Sequence, residues 1–228
     1  MKRSRVNEIM AGADEFIRSF GFVLPPFAYW TPDQFRSRKE SAARVIGSRM
    51  GWDITDYGEG DFDNLGLFLF TLRNGSLADL QRGGGMCYAE KLLISRQDQL
   101  SPCHTHVIKA EDIINRGGAT LAVKLNGSNP DGTFSETAGG VVRCDGVDRP
   151  FAAGEVLKLA PGESVTLMPG DWHAFWGEGG DVLIGEVSTV NDDVTDNIFV
   201  SKIGRFAEIE EDVAPTHLLV SDYEKWLA

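Results

Sequence analysis

From about residue 52 to 205 the sequence is a succession of short apolar or alternating runs separated by turn residues, and this pattern limits the fold more than any other. "LGLFLFTL" (65–72), "YAEKLLIS" (88–95), "ATLAVKL" (119–125), "EVLKLA" (155–160) and "SVTLMPG" (164–170) are typical of it. Strands recurring at such spacing indicate an all-β sandwich or barrel. Asp145-Gly146 predicts a tight hairpin. "GEGGD" at 177–181 reads as a second reversal, and Gly117-Gly118 as a further turn.

The first fifty residues differ. Val6, Ile9, Met10, Ala13, Phe16, Ile17 and Phe20 recur at three- and four-residue steps, which gives one apolar helical stripe, with Gly21 placed to stop it. Thr31-Pro32 reads as an N-cap and first helical position, predicting a second helix through Ala43 and Ile46 towards Gly51. At the other end, Ser221 and Glu224 have the spacing of a capping box for a short helix. The expected organisation is one domain over 1–228: a helical extension (1–51), a β-barrel (52–212) and a C-terminal segment (213–228).

A formal net charge of −12 argues against non-specific nucleic-acid binding, since the chain repels phosphate. Three cysteines, Cys87, Cys103 and Cys144, without CxxC spacing, fit a reducing compartment better than a disulfide scaffold. The basic N-terminus has no apolar h-region, and the longest apolar run is far below the ~20 residues of a membrane helix. The expectation is a soluble, cytoplasmic protein without a membrane partner.

Of four histidines, two lie one residue apart in "SPCHTHVIKAEDIINRGG" (101–118). On an extended chain, side chains at i and i+2 share a face, so His104 and His106 can reach one metal ion. Glu111 has the wrong parity to join them on a continuous strand. It does so if the chain bends near Lys109-Ala110 and Glu111 begins the next strand. A third histidine, His173, follows the turn sequence Pro169-Gly170-Asp171. Three imidazoles and a carboxylate suit Zn²⁺, Mn²⁺ or Fe²⁺, with a position left for solvent or substrate. His217 belongs to no such pattern.

"HTHVIKAE" followed some sixty residues later by "PGDWH" resembles the two cupin motifs. The closer resemblance is to the D-lyxose isomerases, metal-dependent cupin sugar isomerases. It rests on "SPCHTHVIKAEDIINRGG", "MPGDWHAFWGEGGDVLIGEVSTVNDD", "DNIF" and "GRFAEIEED" and spans most of the chain, the N-terminal helices included. The resemblance implies a double-stranded β-helix barrel of jelly-roll type holding a divalent metal. Mn²⁺ is the usual activator, with Zn²⁺ or Co²⁺ as substitutes. It also implies conversion of D-lyxose to D-xylulose, often with D-mannose and D-fructose as further substrates, and a homodimer.

Lys109, on the bend between ligands, is placed to hold a substrate hydroxyl or polarise a carbonyl. Glu186 follows the "GEGGD" reversal; if that is a hairpin, Glu186 lies roughly opposite His173 and shares a face with Ser188. A carboxylate pointing into a barrel needs a partner, which makes it a functional candidate. Acidic runs such as those at 191–193 and 204–212 are most often exposed. The resemblance implies that acidic residues there lie close to the sugar, and Asp193 and Glu208 are the best matches. For aldose–ketose isomerisation through a cis-enediol, Glu208 or Glu186 is the candidate base, with Lys109 assisting at the oxygens. A metal-assisted hydride shift needs no such base. A cupin dioxygenase using Fe²⁺ and a non-catalytic sugar-binding cupin share the same four ligands.

Overall fold

Two long strands organise the molecule, whose computed structural model describes residues 1–190, 192 and 195–227. They are β5 (Glu111–Asn126) and β10 (Trp172–Thr189), paired antiparallel along nearly their whole length. The first part of β10 also pairs with β4 (Ser101–His106), and its last part with β3 (Tyr88–Ser95). Likewise β5 pairs with β9 (Ser164–Leu167) at its start and with β8 (Glu155–Leu159) further on. Each long strand thus serves both halves of a cupin-type barrel.

The two glycine clusters expected to reverse the chain instead bend it. Gly117-Gly118 and Gly177–Asp181 lie inside β5 and β10, where the register shifts between Glu178 and Val182. Gly118 has φ +97°, and a Cβ there would come 2.2 Å from the Asp181 carbonyl oxygen. Only glycine permits that approach, so the two strands bend together through facing irregularities rather than ending. Glu186 is therefore on the same strand as His173, not across a hairpin from it.

The remaining strands are β1 (Gly51–Thr55), β2 (Leu67–Asn74), β6 (Gly140–Cys144), β7 (Val147–Phe151) and β11 (Asn197–Phe199). Among the described residues the main path runs β1-β2-β3-β10-β5-β9-β6-β7. β6 and β7 are joined by the expected two-residue hairpin, with Asp145 and Gly146 both at positive φ (48° and 84°).

Strand parity separates two cores. Leu69, Leu93, Ile113 and Ile184 point into the barrel, whereas Trp52, Phe70, Leu92 and Leu183 point outward. The outward set is covered by helix α1 (Arg3–Ser19) through Val6, Ile9, Met10, Ala13 and Ile17, so the N-terminal stripe is where the spacing requires it. The start of α1 is clamped by Arg3, fully buried, whose guanidinium donates to Glu211 (2.8 Å) and Asp222 (2.7 Å).

The second helix expected from Thr31 is not continuous. A 3₁₀ turn (Pro26–Tyr29) precedes α2 (Pro32–Ser37), and α3 (Ala43–Gly47) is separate. Thr31 caps α2 in a full capping box with Gln34. The polar stretch 36–41, exposed throughout, offers no apolar face that would hold a longer helix against the sheet. A further short helix, α4 (Leu77–Gln81), links β2 to β3. The C-terminal helix α5 (Tyr223–Trp226) follows a 3₁₀ turn (Val220–Asp222). Asp222 rather than the Ser221/Glu224 pair caps this turn, accepting from the Leu219 N–H at 2.9 Å. Among the described residues no helix is long and apolar enough to cross a membrane.

Candidate metal centre

β4 ends at His106, the chain bends over residues 107–110, and β5 opens on Glu111, as the parity argument requires. On β10, His173 lies directly across from His104. The four side chains His104, His106, Glu111 and His173 meet inside the barrel with one potential ligand atom each, all within 4.8 Å of one another. Glu111 Oε1 lies 3.2 Å from both His106 Nε2 and His173 Nε2.

The tautomers of the three imidazoles are dictated by their neighbours. His104 Nδ1 faces the Pro102 carbonyl (2.9 Å), His106 Nδ1 that of Asp196 (3.2 Å) and His173 Nδ1 that of Asp171 (3.1 Å). A carbonyl only accepts, so each Nδ1 carries the proton and each Nε2 presents a lone pair. Backbone carbonyls behind histidine ligands orient metal sites in this way. His173 Nε2 is buried and has no hydrogen-bond partner, its approach to Glu111 being misaligned for one. Three inward lone pairs, one of them orphaned, and a carboxylate oxygen fit a divalent cation.

Electrostatics favour the same protonation states. Burial, reinforced by the neighbouring His173 and His106 rings, holds the His104 imidazole well below its ordinary pKa, so it stays neutral. Burial pushes the Glu111 carboxyl up, but the Lys109 ammonium beside it opposes this, and the group is held well below the usual carboxylate range.

Glu111 divides its oxygens: Oε1 faces the histidines, and Oε2 lies 2.6 Å from Lys109 Nζ. The same ammonium donates to Glu186 Oε1 at 3.1 Å. Glu186 lies directly opposite Lys91 of β3, whose Nζ is 3.3 Å from the same oxygen, and accepts from the Ser188 hydroxyl. All four charged groups are buried, and they alternate in sign. They line one cavity, together with Tyr57, Phe199 and Arg205.

Lys109 and Glu186 thus join the metal quartet. Glu208 does not: its side chain is exposed, away from the cavity, and its carbonyl accepts from the N-terminal ammonium. The segment that carries it runs over the surface beside the start of α1, which turns the carboxylate to solvent. Asp193 lies outside the described residues.

Lys91, Asp196 and Arg205 are additions. Lys91 had a signal, a lone cation in the inward phase of "YAEKLLIS" with Ala89, Leu93 and Ser95. Arg205 and Asp196 had none, since both are brought in by contacts distant in sequence: Arg205 pairs with Asp53 at 2.7 Å, and Asp196 grips the 107–109 bend.

The model of the D-lyxose isomerase family matches residues 1–223. The chain belongs to the D-lyxose isomerase family. It is 45 % identical over 231 residues to the D-lyxose/D-mannose isomerase of Serratia proteamaculans, covering 100 % of both chains. Its identity to the D-lyxose/D-mannose isomerase of Escherichia coli O157:H7 is 41 % over 229 residues, with 99 % and 100 % covered. Among solved structures, the L-ribose isomerase of Acinetobacter sp. DL28, bound to L-ribose, has the same fold (TM-score 0.62, 16 % identity, 92 % and 98 % covered). That of Geodermatophilus obscurus is similar (TM-score 0.58, 16 % identity, 92 % and 98 % covered).

Proposed function

We propose that this protein is a metal-dependent aldose–ketose isomerase that interconverts D-lyxose and D-xylulose, and D-mannose and D-fructose. The observation that carries the reading is the junction of the His104, His106, Glu111 and His173 cluster with the Lys109–Glu186–Lys91 chain in one cavity. The names of the full-length relatives support it and lend nothing to the dioxygenase or binding-only readings.

His104, His106, His173 and Glu111 Oε1 would hold the cation, with Mn²⁺ the proposed occupant and Zn²⁺ or Co²⁺ as substitutes. A bound divalent ion supplies Lewis acidity at the oxygens of an open-chain sugar. Glu186 is the candidate base, taking the C2 proton and returning it to C1 through a cis-enediol. Lys109, between Glu111 and Glu186, is within reach of both the ligand set and the base. Its ammonium donates to the oxygen on which negative charge develops. Lys91 holds Glu186 in place from the opposite side of the ladder, and the barrel walls keep bulk water from the reacting carbons.

The chain is proposed to act as one domain, with the barrel at 52–212 framed by the 1–51 and 213–228 segments. The family likeness supports a homodimer, and three unpaired cysteines suit the cytoplasm. A panel of aldoses and ketoses assayed with added Mn²⁺, Co²⁺ and Zn²⁺ tests the assignment, with D-lyxose and D-mannose expected among the substrates. Substrate-dependent oxygen uptake without isomerisation would overturn it. In D₂O the enediol route leaves solvent deuterium in the product; its complete absence under slow exchange would point to a hydride shift.

A further inference from the structure

We infer that Asp196 is a positioning residue for the centre, setting His106 and Lys109 at once. Its carboxylate is buried and accepts three successive backbone N–H groups of the bend: Val107 (3.0 Å) and Ile108 (2.8 Å) at Oδ1, and Lys109 (2.9 Å) at Oδ2. Its own carbonyl accepts the His106 Nδ1–H at 3.2 Å. One residue therefore holds both ends of the short path from a metal ligand to the lysine.

The two ends of the bend have further ties, the His106 carbonyl accepting from the Gly170 N–H (3.2 Å) and Ala110 exchanging hydrogen bonds with Thr189 (3.2 and 3.0 Å), but its middle depends on Asp196. Val107 and Ile108 are 58 % and 53 % exposed, so apolar burial does not anchor them and works against this conformation. Three adjacent N–H groups pointing the same way form a concave donor set that needs an anion. Asp196 supplies that anion from a segment 87 to 90 residues away in sequence. The ladder contact beside it, Asn197 of β11 opposite His106, keeps the carboxylate in place.

The chemistry depends on this grip. Beyond the bend, Lys109 Nζ reaches 2.6 Å from Glu111 and 3.1 Å from Glu186, distances that a freed backbone does not hold. A shift of about 1 Å in a supporting group is enough to cost on the order of 100-fold in rate. On the His106 side, the Asp196 carbonyl selects the tautomer that leaves Nε2 free as a ligand atom.

The inference rests on the metal-isomerase reading, and Asp196→Asn tests it. The amide keeps one accepting oxygen and turns an NH₂ donor towards a backbone donor. Hydrogen exchange on the metal-free protein is expected to speed up about tenfold or more at amides 107–109, a hydrogen bond to a charged group being lost. Mn²⁺ affinity by calorimetry should fall about 10- to 100-fold, the usual effect of removing a group behind a metal ligand. At saturating Mn²⁺, kcat should stay at least about tenfold low with KM nearly unchanged, because Lys109 is then misplaced. A merely structural role would lower the melting temperature and speed the exchange but leave Mn²⁺ affinity and kcat alone, and that result overturns the inference. If Asp196→Asn does not fold, Asp196→Ser, which shortens the acceptor, gives the same readouts. A parent protein that neither binds Mn²⁺ nor isomerises any aldose refutes the functional reading instead. The exchange measurement then still decides whether Asp196 holds the bend.

Discussion

Lys91 and Glu186 face each other across the β3–β10 ladder inside the barrel, Nζ to Oε1 at 3.3 Å, with Lys109 on the other side of the same carboxylate. Two ammonium groups thus balance the charge of one buried carboxylate inside the barrel. The two lysines are not equivalent, since Lys109 also lies 2.6 Å from Glu111.

Glu186→Gln should lower kcat by about 10²- to 10⁴-fold, the usual contribution of a general base, while metal stoichiometry stays at the parent value. Lys91→Met should lower kcat less and cost about 2 kcal/mol of stability, because a buried carboxylate loses one of its two ammonium partners and keeps the other. Steady-state kinetics with elemental analysis checks the first, and denaturant melts check the second. A fully active Glu186→Gln enzyme would remove Glu186 from the mechanism.

His106→Ala should abolish tight metal binding and activity together, because it deletes one of only three imidazoles. Chelation of the parent protein should do the same reversibly, with activity restored by Mn²⁺. Retained stoichiometry in the variant would contradict the ligand assignment.

Gly118→Ala places a methyl group against the Asp181 carbonyl, at a φ that side chains disfavour. A loss of at least about 2 kcal/mol is expected from the backbone strain and collision combined. Since the bend sets where His173 and Glu186 stand along β10, metal affinity should weaken too. Thermal unfolding and metal titration of the same sample test both effects.

The Arg3 clamp predicts an acid limb in stability. Hydrogen bonding to Arg3 lowers the Glu211 carboxyl to about 2, against the 4.5 of a free glutamate. A depressed folded pKa means that the unfolded chain binds the proton more readily. Its contribution is therefore complete above pH 4.5 and is lost as the pH falls through about 2. Arg3→Met strands the buried Asp222 carboxylate and should cost about 3–5 kcal/mol at neutral pH. It should also flatten the Glu211 part of the pH dependence, as thermal melts between pH 6 and pH 2 would reveal.

The quartet could be read from the sequence because its information is local. Two histidines at strand parity and a glutamate past a possible bend suggest one cluster, and "PGDWH" marks its fourth member with its own turn. The α1 stripe and the Asp145-Gly146 hairpin were legible for the same reason: residues three, four or two apart decide them. Glycine clusters were misread because a glycine reports that a side chain is forbidden, not why. At Gly118 the reason is a carbonyl from a strand some sixty residues later.

The sequence by itself therefore determined the all-β class, the helical cover and the four residues of the cluster, since each follows from short-range patterns or local motifs. Only the tertiary structure decided that Lys91 stands across from Glu186, that Asp196 grips the bend before Glu111, and that Glu208 faces solvent. Those relations depend on strand register and on loop closure between distant segments. A one-residue slip in register reverses which side chains face the cavity, and no local pattern fixes it.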